Sequence, residues 1–330
     1  MAKRALVTGG TGQDGSYLID LLLARGYEVY AQSRQQPADS RSSITWHVGD
    51  LTDPAFLERL IATSSADEIY NLAAISRTLL SWSNPIEAAQ LNAFVPQQIC
   101  ELIRHHSPKS RFFQASSGEI YGDNAGAVQN ETTRCDPRTP YGIAKYYAHR
   151  IVGAYREEYK LHLSSGILFN HESPRRPLSF VSQKIAHAAA ALHLGLTRTA
   201  EKDEFGEPLL SGGKVKLGNL GVKRDFGFAG DYAEAIYAML QSDTADDYVI
   251  GTGECHSIEE FCEVAFNVVR LDWKNHVVQD DSRARRVDAP VICADASKLR
   301  NRFGWRPTMS FNDLVKSMVE HRIEAIRSGR

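Results

Sequence analysis

The sequence predicts an α/β protein: a doubly wound parallel sheet carrying a smaller α/β lobe. Three observations lead there. Short apolar runs alternate with amphipathic stretches through the first half of the chain. A glycine-rich turn from Thr8 to Gly15 joins the first run to the first amphipathic stretch. After Asn170 the alternation loosens. Strands separated by helical crossovers lie parallel, so the alternation itself specifies the sheet.

Ala5-Leu6-Val7 reads as a buried strand, and Tyr17 to Leu23 begins a helix that Gly26 ends. Glu28–Ala31, Ile44–Val48 and Glu68–Leu72 are the next strands. Between the last two, Asp53-Pro54 is an N-cap followed by proline at the first helical position. A long helix over Ile86–His105 precedes a strand at Arg111–Ala115. A second, over Tyr141–Tyr159, precedes the strand Leu163–Phe169. Beyond it, Glu201–Lys214 is polar and glycine-rich, a loop or exposed hairpin. Helices are expected at Asp231–Gln241, Ser257–Arg270 and Phe311–Ile326. The spacing divides the chain into residues 1–170 and a lobe, 171–330, interleaved with the last strands of the sheet. No internal repeat or low-complexity segment interrupts it.

The 330 residues are 43% hydrophobic and 24% charged, an ordinary globular composition that excludes collagen-like, coiled-coil or disordered chains. Lys+Arg 38 against Asp+Glu 40 leaves a formal charge of −2, so no basicity points to nucleic acid or an anionic membrane. No apolar run approaches the ~18–20 residues of a membrane span. The N-terminal residues meet the glycine turn too early for a secretory signal. Cys100, Cys135, Cys255, Cys262 and Cys293 are odd in number and lack C-x-x-C pairing, which predicts reduced thiols in a cytoplasmic protein. His105-His106 and His171 show no metal-ligand spacing, and no metal site is expected.

Gly9, Gly12 and Gly15 give a G-x-x-G-x-x-G spacing between strand and helix. Such glycines allow a tight turn and bring backbone N–H groups against a pyrophosphate at the helix N-terminus. The context predicts a Rossmann-type dinucleotide site, with Thr11, Gln13 and Asp14 in the same turn. Residues 1–170 are then mainly the cofactor domain and 171–330 mainly the substrate lobe. The second strand runs into Gln32-Ser33-Arg34-Gln35, without the carboxylate that NAD sites place on the adenosine ribose. Ser33 and Arg34 suit a 2′-phosphate, so the expected cofactor is NADP. The competing reading leaves Arg34 solvated and the cofactor NAD. Asp50-Leu51 is expected near the adenine and Leu72-Ala73-Ala74 near phosphates and ribose; Leu168 and Asn170 complete the set.

Tyr141-Gly142-Ile143-Ala144-Lys145 is a Y-x-x-x-K motif whose i, i+4 spacing puts both side chains on one helix face. The lysine cation favours the phenolate and is expected to lower the tyrosine pKa, so that Tyr141 takes a hydroxyl proton while hydride leaves the same carbon. Lys145 also reaches the nicotinamide ribose. The strand before it ends Ser116-Ser117-Gly118-Glu119, at the sheet edge where ligands bind. Ser117 suits a hydrogen bond to the reacting oxygen. Glu119 has no role in simple hydride transfer, but a carboxylate there suits proton removal α to a ketone. The alternative is an ion pair or a turn cap.

Together these motifs resemble the extended short-chain dehydrogenase/reductase superfamily and, in detail, its GDP-mannose 4,6-dehydratases. The matching stretches are Thr8 to Leu18, Ser165 to Pro174, Lys223-Arg224-Asp225-Phe226-Gly227, Asp231-Tyr232-Ala233-Glu234-Ala235 and Asp246-Asp247-Tyr248-Val249. The likeness runs from about Lys3 to about His321. It implies tightly held NADP and a three-step reaction on a GDP-sugar. Tyr141 and Lys145 serve C4 oxidation, Glu119 takes the C5 proton as water leaves C6, and hydride returns to C6. It also implies Ser76, Ser81, Asn170 and Glu172 near the substrate, Lys184 near the phosphates, Arg224 and Arg285 clamping the pyrophosphate, and Asp288 at the nucleoside. Lys184 and Arg285 have a second reading as solvated surface charges. Arg34 to Arg41 crosses to a neighbouring subunit in this family, which implies a homodimer or homotetramer; a surface loop is the alternative.

The chain departs from the family pattern at Gly118, Ile75, Gln183 before Lys184, and Arg286 after Arg285. Ser-Ser-Gly-acid also resembles 4-keto-6-deoxymannose reductases, so a reductase or epimerase on the same scaffold is the rival, and a cofactor-binding protein without catalysis the second. The loop from Thr197 to Lys214 is longer than the family pattern, reshaping the pocket or extending the surface.

Overall fold

The structure, a computed structural model, describes residues 2–38, 41–122, 128–284 and 288–329. The first half runs β1 (Arg4–Thr8), α1 (Gln13–Ala24), β2 (Glu28–Ser33), β3 (Ile44–Val48), α2 (Pro54–Ser64), β4 (Glu68–Asn71), α3 (Thr78–Ser83), α4 (Pro85–Ala89), α5 (Val95–His106), β5 (Arg111–Ser117), α6 (Pro140–Tyr159) and β6 (Leu163–Leu168). Then follow β7 (His171–Glu172), α7 (Val181–His193), β8 (Val215–Leu217), β9 (Lys223–Asp225), β10 (Gly227–Phe228), α8 (Ala229–Gln241) and β11 (Tyr248–Ile250). The chain ends with β12 (Cys255–Ser257), α9 (Ile258–Val268), β13 (Val277–Gln279), β14 (Val291–Ile292), α10 (Ser297–Phe303) and α11 (Phe311–Arg327).

Among the described residues, seven parallel strands form one sheet in the order β11-β6-β5-β4-β1-β2-β3. The alternation of side chains on β1 explains the layers. Ala5 and Val7 pack with Leu18, Leu22 and Met239 of α1 and α8, whereas Leu6 packs with Leu57, Leu60 and Ile99 of α2 and α5. Each such leucine, fully buried, contributes about 1.5–3 kcal/mol. The strand order reverses between β1 and β4, and a crevice opens there at the carboxyl ends. A second core, with Ile185, Phe261, Phe266, Leu314 and Met318, joins α7, α9 and α11 in the lobe.

Several local expectations hold. Asp53 caps α2 by accepting the Ala55 N–H at 3.0 Å, with Pro54 at the first position. Gly26, at φ +79°, follows the end of α1. Others need correction. The long helix over Ile86–His105 starts at Pro85 and carries a π-turn over Gln90–Phe94. Pro96 has no N–H to give the Asn92 carbonyl, so the ladder must shift there. Asn92 then binds the Ile75 N–H and C=O at 2.9 and 3.0 Å, fixing the loop after β4. α7 carries no amphipathic period to mark it in the sequence, because it is buried on all sides, Ala186 and Ala188 to Ala191 being inaccessible. The expectation of reduced thiols fails for two cysteines. Cys255 and Cys293 form a disulfide, while Cys100, Cys135 and Cys262 are free. No spacing signals the pair, because β9 brings it together by pairing with both β12 and β14. No helix among the described residues is long and apolar enough to cross a membrane.

Candidate active site

A cavity of about 680 Å³ runs along the carboxyl ends of the sheet to the lobe. All the expected cofactor residues line it: Gly9, Thr11, Gly12, Gln13, Asp14, Gly15, Arg34, Asp50, Leu51, Leu72, Ala73, Ala74, Tyr141, Lys145, Leu168 and Asn170. Ser76, Ser117, Glu119, Glu172, Lys184, Arg224 and Asp288 line it too. Ser81 does not. It is fully buried, donates to the Thr78 carbonyl at 2.7 Å and accepts the Tyr141 N–H at 3.2 Å, so its hydroxyl is spent on holding helix ends. Arg285 and Arg286 lie outside the described residues, as does part of the Arg34-to-Arg41 stretch.

The turn after β1 is built from backbone. Gly9 has φ +67°, and a Cβ there would stand 2.9 Å from the Ala73 backbone. A Cβ on Gly15 would overlap the Gly9 carbonyl and come within 2.8 Å of the Gly10 Cα, so α1 approaches β1 only through glycine. Gly12, the N-cap of α1, offers no side-chain cap, which leaves the first-turn N–H groups for an anion. The side chains of Gln13 and Asp14 point elsewhere. Gln13 donates to the His171 carbonyl at 3.1 Å and accepts from Ser173 Oγ at 2.8 Å. Asp14 pairs with His171 Nε2 at 2.9 Å. Burial alone lifts the Asp14 carboxyl, but the charge and hydrogen bond of His171 outweigh it and hold it well below the usual range. Both side chains pin α1 to β7.

Thr139 caps α6 by accepting the Gly142 N–H at 3.0 Å, with Pro140 at the first position. A Cβ on Gly142 would come within 2.7 Å of the Glu119 carbonyl, so this glycine lets α6 close on the turn that carries Glu119. That turn is a single 3₁₀ turn, Gly118–Ile120, opened by Ser117 Oγ accepting the Glu119 N–H at 3.2 Å. Lys145, 2% exposed, donates to the Ala115 carbonyl at 2.9 Å and lies 5.8 Å from the Tyr141 ring centroid. Burial lowers Lys145 to about 8, against the pull of Asp14.

Tyr141 corrects an expectation. Burial raises its pKa to about 12; a hydrogen bond with Ser117 and the charge of Arg176 pull it down, while Glu119 and Asp14 push it up. The groups that depress it are therefore Ser117 and Arg176, with Lys145 tied to the strand carbonyl instead. A Cβ on Gly118 would make ordinary 3.5 Å contacts with Phe169 and Ile292, so crowding does not demand glycine there.

On the lobe side, the charged residues are already paired. Lys184 pairs with Glu204 and Arg224 with Asp288. Glu172 accepts from Ser182 Oγ at 2.5 Å and lies 3.3 Å from Arg176. Arg34 is exposed, 3.7 Å from Glu87. Arg176, Arg283 and Glu204 line the cavity and were not expected there. Arg176 had a signal, standing two residues after Asn170-His171-Glu172-Ser173-Pro174; Glu204 and Arg283 had none. The polar segment expected as an exposed loop or hairpin brings Glu204 inward. Among the described residues, no group of three or more His, Cys, Asp or Glu is placed to hold a metal ion.

A family model described as GDP-mannose 4,6 dehydratase matches residues 6–318. The chain is 39% identical over 341 aligned positions to GDP-mannose 4,6 dehydratase 1 of Arabidopsis thaliana, covering 98% of this chain and 90% of that protein. It is 36% identical over 358 positions to the Homo sapiens GDP-mannose 4,6 dehydratase, covering 98% and 92%. Among solved structures, the Thermus thermophilus UDP-glucose 4-epimerase in complex with NAD superposes with a TM-score of 0.83 at 25% identity, covering 97% of this chain and 98% of that one. With the sheet order, the uncapped helix behind the glycine turn and the Tyr141–Glu119 face all in place, these matches settle the kinship: the chain belongs to the GDP-mannose 4,6-dehydratase family.

Proposed function

We propose that this enzyme dehydrates GDP-mannose to its 4-keto-6-deoxy product, using NADP that it regenerates in every cycle. The observation that carries the reading is Glu119 held beside Tyr141 and Ser117 at the sheet edge, next to the dinucleotide turn. A reductase has no need for an acid that takes the C5 proton and expels the C6 oxygen. The fit to the cofactor rests on the uncapped first turn of α1 and the Gly9–Gly15 cradle. Bound there, the oxidised cofactor supplies a hydride acceptor and a positive charge. Ser33 and Arg34 at the end of β2 favour a 2′-phosphate. Arg34→Ala is expected to cut the preference for NADP over NAD about tenfold or more, in line with a charge-assisted hydrogen bond of about 1.5–3 kcal/mol.

Tyr141, hydrogen-bonded to Ser117, takes the O4 proton as C4 is oxidised. The 4-ketone acidifies C5–H, because the resulting carbanion is delocalised as an enolate. Glu119 removes that proton and delivers it to the departing C6 hydroxyl, so water leaves; as hydride reaches C6 a proton is added at C5, balancing the one Tyr141 took from O4, and no net redox change remains. Lys145, fixed on the Ala115 carbonyl, positions the tyrosine face. Lys184, Arg224 and Asp288 serve the nucleotide, with Asn170 and Glu172 near the hexose. The test is to supply GDP-mannose to protein carrying only its own bound NADP. Ketone formation without turnover of bulk cofactor is expected. No reaction of GDP-mannose, alongside stoichiometric NADPH oxidation with a supplied 4-keto sugar, would overturn the reading.

The same proposal includes a homo-oligomer in the cytoplasm. What supports self-association is one apolar face: Ile86 is 72% exposed, Ile143 55% and Phe94 49%, on α4, α6 and the π-turn between α4 and α5. Phe94 also meets Tyr147 edge-on at 5.8 Å.

A further inference from the structure

Residues 197–214 leave the end of α7, reach the cleft at Glu204 and return to β8. The segment is rooted. Leu209 and Leu210 are 3% and 0% exposed, and Thr199 and Leu210 exchange hydrogen bonds, N–H to carbonyl at 3.1 Å and N–H to hydroxyl at 3.3 Å. His187 of α7 lies 3.6 Å from Glu201. At the tip, Asp203 accepts the N–H groups of Phe205 and Glu207 at 2.9 and 3.0 Å, closing a turn around Glu204. Asp203 and Glu207 pair with Arg283, whose guanidinium lies 4.8 Å from the Phe205 ring. Glu204 lines the cleft and pairs with Lys184, a side chain only 9% exposed. One segment thus lays carboxylates on two cations of the cavity that must accept a diphosphate.

A phosphate that engages Lys184 needs the place Glu204 holds. Two anions on one ammonium repel strongly where water is excluded. The leucine root and the Asp203–Arg283 pair keep the backbone in position, so the exchange requires only rotation of the Glu204 side chain. We propose that Glu204 is a specificity-determining residue: its carboxylate stands in for a substrate phosphate on Lys184, and only a ligand that brings a phosphate there displaces it. Lys184 stays paired in the unliganded cleft, and ligands without a phosphate gain nothing from it. The inference rests on the assignment of Lys184 to the substrate diphosphate.

Calorimetric titration of GDP, guanosine and NADP into wild type, Glu204→Gln, Glu204→Ala and Lys184→Met tests both layers. Removing the carboxylate is expected to tighten GDP about three- to tenfold, the scale of freeing one ordered side chain, with guanosine and NADP unchanged. Lys184→Met is expected to weaken GDP. Unchanged or weaker GDP binding by both Glu204 variants, with Lys184→Met impaired, overturns the stand-in role alone. Equal shifts for NADP and GDP also count against it, since the carboxylate then acts on the fold. Lys184→Met binding GDP like wild type overturns the assignment beneath it.

Discussion

The two walls of the cleft are made of different material. At the pyrophosphate turn of the cofactor wall the ligand-facing groups are backbone: the Gly9–Gly15 turn and the first N–H groups of α1, with the Gln13 and Asp14 side chains already engaged behind them. On the substrate wall they are long charged side chains, each already holding an opposite charge: Lys184 with Glu204, Arg224 with Asp288, Arg283 with Asp203. A backbone cradle is preorganised and binds without rearrangement. A wall of ion pairs binds by exchange, trading an internal anion for the ligand's. Between them, at the ends of β5 and α6, lie the residues proposed for the chemistry, Ser117, Glu119 and Tyr141.

The largest effect belongs to that middle ground. Glu119→Gln should lower the dehydration rate about 10²–10⁴-fold, the usual worth of a positioned acid–base group, while NADP and GDP affinities stay within about twofold. Normal dehydration by this variant would refute the role. The contrast between the walls is broken more directly by Gly15→Ala, whose Cβ has only backbone to meet. NADP affinity should fall about tenfold or more and stability about 1–3 kcal/mol, the usual cost of overpacking, with GDP binding nearly unchanged. Equal losses for both ligands would erase the distinction.

A third effect sharpens the comparison by pH. Burial opposes the His171 cation, but the Asp14 carboxylate outweighs it and raises the ring above its ordinary 6.5. A raised histidine stabilises fully below its unfolded value and loses that contribution as pH climbs through the folded value. The lowered Asp14 stabilises above its ordinary 3.8. Between roughly pH 4 and 6.5 both act, so His171→Gln should cost on the order of 1.5–3 kcal/mol there. The difference should narrow in alkaline buffer. Thermal melts at pH 5 and pH 9 measure it, and a deficit independent of pH contradicts the pair.

What could be read from the sequence follows the same division. The Gly9–Gly15 turn, the Asp53-Pro54 cap and the Tyr141–Lys145 spacing are local, so neighbouring residues encode them. The π-turn at Gln90–Phe94 was hidden inside an apparently regular apolar period, though Pro96 marked it. The Arg283–Asp203 pair spans 80 residues and the Cys255–Cys293 bond 38, and nothing near either partner announces them. The shift at Tyr141 runs opposite to the expected direction for a physical reason. Spacing placed a cation near the ring, but burial, which spacing does not carry, dominates. The Ser81 hydroxyl likewise accepts the N–H of Tyr141, 60 residues on, a contact no local pattern carries.

The account as a whole turns on one hydrogen. GDP-mannose deuterated at C4, incubated with the enzyme and excess unlabelled NADPH in solution, should yield product carrying the deuterium at C6, undiluted by the pool. Deuterium that is lost to the bulk cofactor, or product labelled nowhere at C6, contradicts the account.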